Sequence, residues 1–424
     1  MEQRVVPPIR LEGELVPPGD KSISHRALIL NAIAQGTARV TNLAPGEDLM
    51  STAACLRGLG APLEERDGLW TVHGVGVAGL REPADVLSAG NSGTTMRLMA
   101  GVLAGQPFLS VLTGDSSLRS RPMGRIVQPL RLMGAQVWGR DKDTRAPLAI
   151  RGGNLRGIEY PLPVASAQLK SALLLAGLFA QGTTSLVEPA PSRDHTERLL
   201  QAMGAHLQRD GKCIRLEPLT APLSALDIQV PADISAAAFW LVAGALHPRA
   251  RITVRQVGTN PYRTGVLEAL QAMGARLRLG QERFIGAEPV ADITIESGEL
   301  RGTELGGDLI PRAIDELPIL AVAACLARGR TVIRDAAELR AKESDRIGAL
   351  VQELRRFGAD VTERPDGMVI EGVPSLHGAR CSSHGDHRLA MALAVAGLVA
   401  QGETVVEGAE AVVISYPSFW QDLS

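Results

Sequence analysis

At 424 residues the chain is too long for one ordinary core, and length alone predicts about two to four domains. Forty-four basic residues against 46 acidic ones leave a net charge of −2. That balance excludes a global field for nucleic acid or an anionic membrane, so any anion site has to be local.

Met1 to Pro8 lacks the apolar core of a signal peptide, and no uncharged apolar run reaches the ~18 residues of a membrane span; the chain reads as a soluble cytoplasmic protein. Cys55, Cys213, Cys325 and Cys381 are widely spaced and form no Cys-x-x-Cys, which reads as reduced, mostly buried thiols. Of the 44 basic residues only Lys21, Lys142, Lys170, Lys212 and Lys342 are lysine. Where arginine is so heavily preferred, a retained lysine marks a need for a compact ammonium.

In chain order, the first strongly marked stretch runs from Pro18-Gly19-Asp20-Lys21 to Ser22-Ile23-Ser24-His25-Arg26-Ala27. A strand-like run, Ile9 to Leu11, precedes it and an apolar helix, Ala27 to Ile33, follows. Ser22 or Ser24 is placed to cap the first turn, and Lys21 and Arg26 add charge where the helix dipole is already positive. Such an end attracts phosphate or carboxylate. Taken alone, the stretch is more often a capped helix with solvated charges.

Beyond it a period of about seventy residues governs the fold. One half-motif, an apolar helix turning into a strand, occurs six times, beginning at Ala27, Met96, Ser171, Ala236, Leu317 and Leu389. The other, an amphipathic helix ending in Gly-Ala before a hairpin, occurs five times, at Gly60, Gly134, Gly204, Gly274 and Gly358. The N-terminal strand region, Val5 to Leu15, is expected to complete the last unit.

The expected fold is therefore α/β: two domains, each of three inverse α/β repeat units (βαβαββ-like), with helices inside, short sheets outside and a cleft between. Residues 19–230 form one domain; residues 1–18 with 231–424, carrying both termini, form the other. The crossings near Pro17 to Gly19 and Ile228 to Asp233 act as a hinge. A single elongated solenoid competes less well, because it leaves apolar ends to cap.

Repeated units point corresponding helix starts the same way. Those starts contain Lys21 to Arg26, Asn91 to Arg97, Ser166-Ala167-Gln168-Leu169-Lys170, Ile314-Asp315-Glu316 and Asp386-His387-Arg388. Capping explains the serines, asparagine and aspartates but not the crowding of Lys21, Arg26, Gln168, His387 and Arg388. The loop Ser117 to Arg125 and the stretch Arg340 to Arg346 add further cations. On a helix Lys342 and Arg346 share a face, with Glu343 beside them. Several anion-binding ends with isolated carboxylates point to an enzyme acting on phosphorylated or carboxylated metabolites.

The motifs Pro18 to Arg26, Gly90 to Arg97, Arg121-Pro122-Met123, Ser166-Ala167-Gln168, Lys342 to Arg346 and Asp386-His387-Arg388 closely resemble, in order and across essentially the whole chain, the 3-phosphoshikimate 1-carboxyvinyltransferase (EPSP synthase) family. The resemblance implies transfer of the enolpyruvyl group of phosphoenolpyruvate to the 5-hydroxyl of shikimate 3-phosphate, with release of phosphate, in the shikimate pathway to aromatic amino acids. It implies no metal or organic cofactor, no nucleic-acid or membrane partner, and a monomer. By similarity Asp315 takes the hydroxyl proton, Glu343 works at the methylene and Lys21 shares proton transfer; His387 either assists or caps its helix. Shikimate 3-phosphate falls to Lys21, Ser22, Arg26, Ser166, Gln168, Arg193, Asp315 and Lys342. Phosphoenolpyruvate falls to Lys21, Gly93, Arg121, Gln168, Arg346 and Arg388. Gly93 also lies against glyphosate, the family's herbicide inhibitor.

Three departures from the family's common pattern point to a divergent subclass: Ile414-Ser415 in place of a lysine before Tyr416-Pro417, Ala167 for a serine, and Glu338 for an asparagine. The nearest rival is the enolpyruvyl transferase acting on UDP-N-acetylglucosamine, whose reactive-cysteine loop and Lys-x-x-Asn motif are replaced here by Asp115 to Arg119 and Lys21-Ser22-Ile23-Ser24. A rival of another class, a non-catalytic six-unit scaffold around nucleic acid, requires a uniformly basic channel. Gly74 to Gly79 matches a dinucleotide pattern without the helix that pattern needs, and Cys381, His384 and His387 lack a second ligand pair for a metal.

Overall fold

The computed structural model describes residues 1–423. Six helices form the interior: α1 (Lys21–Ala32), α2 (Gly93–Ala104), α3 (Ala167–Gly177), α4 (Ile234–Leu246), α5 (Leu317–Cys325) and α6 (His387–Val399). Sequences such as Ile-Ser-Ala-Ala-Ala-Phe-Trp-Leu-Val-Ala-Gly in α4 are apolar on every face, and a helix of that kind has to be covered all round. All six are buried along nearly their whole length, and short sheets cover them.

By internal contacts the chain divides into two compact units. The first comprises Lys21–Val230 with Ile285–Glu288 and is built around α1, α2 and α3; the second comprises Met1–Asp20, Pro231–Phe284 and Pro289 onward and is built around α4, α5 and α6.

The sheets repeat one plan. Leu87–Ser88 runs parallel to Leu109–Thr113, which pairs antiparallel with Arg145–Arg151, which pairs antiparallel with Gln136–Gly139. Glu159–Pro161, Thr184–Val187, Cys213–Leu216 and Leu207–Asp210 follow the same order, as do Glu304–Leu305, Arg330–Ile333, Gly367–Glu371 and Asp360–Arg364. Each amphipathic helix that feeds a hairpin ends in a Schellman motif. Gly60, Gly134, Gly204, Gly274 and Gly358 take φ between 81° and 108°, and the next alanine N–H donates back to the carbonyl of Leu56, Leu130, Leu200, Leu270 or Leu354. Only glycine reaches that backbone cheaply, which explains its recurrence.

The first parallel strand departs from the plan at two places. Leu11–Leu15 precedes α1 but pairs with Ala250–Gly258 in the second unit, while Ile228–Gln229 precedes α4 but pairs with Gln35–Thr41 in the first. The N-terminal stretch expected to finish the last unit is thus divided. Only its first residue, Val5, finishes the last unit, at the end of Glu2–Val5, which pairs antiparallel with Thr404–Glu407; Leu11–Leu15 belongs to another sheet. The strand expected over Ile9 to Leu11 begins only at Leu11, and Ile9 is exposed.

Candidate functional site

In the first unit the starts of the three buried helices are stitched together by the cations read from the sequence. Lys21 opens α1, and its Nζ lies 3.0 Å from Asp48 Oδ2. Neither serine caps this helix, because it begins one residue before Ser22; Ser24 Oγ instead accepts the Ala44 N–H at 2.9 Å. Arg26, 3% exposed, donates from Nε to Thr196 Oγ1 (2.6 Å) and from Nη2 to Ser171 Oγ (2.6 Å), which ties α1 to α3. Ser92 caps α2 and Ser166 caps α3 through their hydroxyls. Gln168, in the first turn of α3, accepts from Arg97 Nη1 and donates to Thr94 Oγ1, both at 2.9 Å, so the α2 and α3 starts are locked in register. Arg121 Nη2 donates to Asn91 Oδ1 at 2.6 Å, beside Gly93. Arg193 is half-buried, in the irregular segment between Ser192 and the helix that starts at His195.

In the second unit the cluster centres on Asp315. Its Oδ1 stands 3.6 Å from Arg346 Nη1, 3.8 Å from Lys342 Nζ and 3.8 Å from Arg388 Nε, and its Oδ2 stands 4.0 Å from Arg263 Nη1. Arg346, 1% exposed, donates to Asp386 Oδ2 (2.7 Å) and to Glu343 Oε2 (2.6 Å). The cap of α6 is Asp386, whose Oδ1 accepts the Arg388 N–H at 2.9 Å; His387 is the first helical residue and does not cap. The helical face expected for Lys342 and Arg346 does not form. Lys342 is extended after a 3₁₀ turn, Ala337–Ala341, and the next helix, Arg346–Arg356, starts at Arg346 with Asp345 as its cap. The two cations meet at Asp315 through the fold rather than through helical spacing.

Among the charged residues of these clusters, Asp48 under Lys21, Arg97 on Gln168 and Arg263 had no role assigned from the sequence, and Asp386, read there only as a cap, also holds Arg346. Arg97 and Asp386 stand inside motifs already singled out. Arg263 carries no local signal; it is 2% exposed and is ringed by Asp233 (3.1 Å), Glu316 (3.2 Å) and Asp20 (3.5 Å). Burial opposes its charge, but the carboxylates of Glu316, Asp20 and Asp233 outweigh burial and hold its pKa above the usual arginine range. Of the other residues considered from sequence, Cys381 is buried, which pushes its thiol up to about 12, and His384 Nε2 lies 2.9 Å from Glu353 Oε1.

The sequence profile of the family described as EPSP synthase (3-phosphoshikimate 1-carboxyvinyltransferase) matches residues 5–423. The chain belongs to the EPSP synthase family. It is 57% identical over 423 residues to the 3-phosphoshikimate 1-carboxyvinyltransferase of Herpetosiphon aurantiacus, covering 99% of this chain and 98% of that one. Against the protein of the same name from Gloeobacter violaceus the identity is 56% over 422 residues, with 99% and 98% covered. The fold is similar to that of the EPSP synthase from Acinetobacter baumannii, with a TM-score of 0.88, 46% identity, and 100% of this chain and 97% of that chain covered. The mixed α/β architecture of buried helices and small repeated sheets is thus that of the EPSP synthase family.

Proposed function

We propose that this chain transfers the carboxyvinyl group of phosphoenolpyruvate to the 5-hydroxyl of shikimate 3-phosphate, releasing phosphate, in the shikimate pathway to aromatic amino acids. Membership of the EPSP synthase family over residues 5–423 carries the reading. The local chemistry supports its steps. The substrate hydroxyl oxygen adds to C2 of phosphoenolpyruvate as Asp315 takes its proton and Glu343, entering as the carboxylic acid, gives its own proton to C3. The tetrahedral intermediate then loses a C3 proton to Glu343, and phosphate departs with the electron pair of its C–O bond. Atoms and charges balance with no change of oxidation state. Glu343 is held by Arg346 at 2.6 Å, which orients a carboxylate for proton transfer. Lys21 shares proton transfer and His387, at the α6 start, assists.

In the same reading Lys21, Ser22, Arg26, Ser166, Gln168, Arg193, Asp315 and Lys342 take shikimate 3-phosphate, and Lys21, Gly93, Arg121, Gln168, Arg346 and Arg388 take phosphoenolpyruvate. Arginine forks suit bidentate capture of carboxylate and phosphate. The two domains correspond to the compact units Lys21–Val230 with Ile285–Glu288 and Met1–Asp20 with Pro231–Phe284 and Pro289 onward, the first boundary falling two residues beyond the one expected at residue 19, and the enzyme works as a cytoplasmic monomer. Among the described residues no helix is long and apolar enough to cross a membrane.

Phosphate release from phosphoenolpyruvate is the deciding assay. Release that requires shikimate 3-phosphate is the expected result; release supported only by UDP-N-acetylglucosamine transfers the function to the rival transferase.

Gly93 offers a second test. It is not among the residues with a left-handed backbone, so a turn does not require it. A Cβ there would lie 2.6 Å from Arg97 Nη1 and 3.4 Å from Arg121 Nη1, the ends of flexible side chains. Gly93→Ala therefore leaves the fold intact but crowds Arg121, assigned to phosphoenolpyruvate, and Arg97, which holds the assigned Gln168. Overpacking of this kind costs ~1 to 3 kcal/mol. Glyphosate, the longer ligand, is expected to inhibit about tenfold less well or worse, with a smaller rise in the KM for phosphoenolpyruvate. Equal losses for both ligands, with a lowered Tm, would sink this account.

A further inference from the structure

The ammonium of Lys170 is 0% exposed and has no part in the chemistry above. It sits on α3 two residues after Gln168, and its three protons meet three acceptors: Glu197 Oε1 at 2.7 Å, Ser192 O at 3.1 Å and Glu188 Oε2 at 3.2 Å. A planar guanidinium does not serve three acceptors converging on one point, which accounts for a lysine here in a chain that otherwise prefers arginine. Arg209 closes the network from its outer side, 3.1 Å from Glu188 and 3.5 Å from Glu197, so two buried carboxylates are balanced by two cations. Ser192 Oγ also donates to Glu188 Oε1. The segment from Glu188 to Glu197 is therefore fastened at both ends and at Ser192.

Two side chains assigned to shikimate 3-phosphate depend on that segment, and Arg193 is the candidate for its phosphate. Arg193 directly follows Ser192. Arg26 is gripped by Thr196 Oγ1 and by Ser171 Oγ, each at 2.6 Å, and these two hydroxyls lie 2.7 Å apart. Thr196 and Ser171 are the neighbours in sequence of Glu197 and Lys170. We propose that Lys170 is a positioning residue for recognition of the 3-phosphate: its contacts with Glu188, Ser192 and Glu197 set the segment that presents Arg193 and the hydroxyl pair that aims Arg26. The proposal rests on the function assigned above.

A purely stabilising role for the network predicts that weakening it lowers Tm and affects all ligands alike. The positioning role predicts a loss confined to the phosphate. The test is calorimetric titration of the full chain with shikimate 3-phosphate and, separately, with shikimate, which lacks the phosphate. For Lys170→Met the Kd for shikimate 3-phosphate is expected to rise about tenfold or more, because a charge-assisted contact is misplaced, while the Kd for shikimate stays within about twofold. Ser192→Ala, a smaller change that removes one fastening, is expected to move the same ratio in the same direction by about threefold. An equal rise for both ligands, or an unchanged Kd for shikimate 3-phosphate, overturns the proposal. Should Lys170→Met fail to fold, Ser192→Ala decides it by the same two criteria. A wild-type chain that binds neither ligand overturns instead the function on which the proposal rests.

Discussion

Asp315→Asn is expected to lower turnover by ~10² or more while keeping the affinity for shikimate 3-phosphate within roughly tenfold, because general base catalysis is typically of that size. Asparagine has the same shape and retains an acceptor oxygen, but it does not take up the hydroxyl proton. Lys342, Arg346, Arg388 and Arg263 stand 3.6–4.0 Å from the carboxylate, at ion-pair distances. Removing the negative charge leaves these cations with one counter-charge fewer, so anion binding need not suffer. Rapid-quench turnover and equilibrium binding on the same variant separate the two effects. Near-normal turnover would remove Asp315 from the base role.

Arg346→Met is expected to destabilise the chain by ~3 to 5 kcal/mol at neutral pH, the usual loss when one partner of a buried ion pair is deleted. Asp386 is buried with its oxygens on Arg346, and Glu343 depends on the same guanidinium. Burial pushes the Asp386 carboxyl up, but the charges of Arg346 and His387 and the Arg346 hydrogen bond outweigh burial and hold it below the usual carboxylate range. A depressed folded-state pKa adds stability that is complete above the unfolded pKa and is lost as pH falls through the folded one. The deficit of Arg346→Met should therefore be largest at neutral pH and shrink as the solution is acidified. Urea unfolding at a series of pH values measures it; a deficit under ~1 kcal/mol, or one that does not change with pH, would contradict the buried-pair account.

The units were legible in the sequence because each depends on local chemistry. A helix apolar on all faces has to be buried, and a Gly-Ala after an amphipathic helix is a Schellman ending. What local chemistry does not carry was misread or missed. The Lys342 to Arg346 spacing fits a helix, yet Asp345, a favoured N-cap residue, caps the helix that starts at Arg346. Ser22 and Ser24 suit caps for a helix that starts at Ala27, but the helix starts at Lys21 and both serines lie inside it. Strand partners are set by the whole fold, so the assignment of Leu11–Leu15 to the sheet of Ala250–Gly258 was out of reach of periodicity. Arg263 was invisible for the same reason, since Asp20 and Glu316 reach it from distant parts of the chain. The cations at the helix starts were visible one at a time, but their joining through Gln168, Thr196 and Ser171 is a tertiary fact.

The most direct measurement follows the bridging oxygen of phosphoenolpyruvate. Transfer of a carboxyvinyl group breaks the C–O bond, whereas phosphoryl transfer or simple hydrolysis at phosphorus breaks the P–O bond. With substrate labelled by oxygen-18 at that position and shikimate 3-phosphate present, the label is predicted to appear in inorganic phosphate, with the second product heavier than shikimate 3-phosphate by one carboxyvinyl group less a proton. Label retained in pyruvate, with shikimate 3-phosphate recovered unchanged, would contradict carboxyvinyl transfer by this chain.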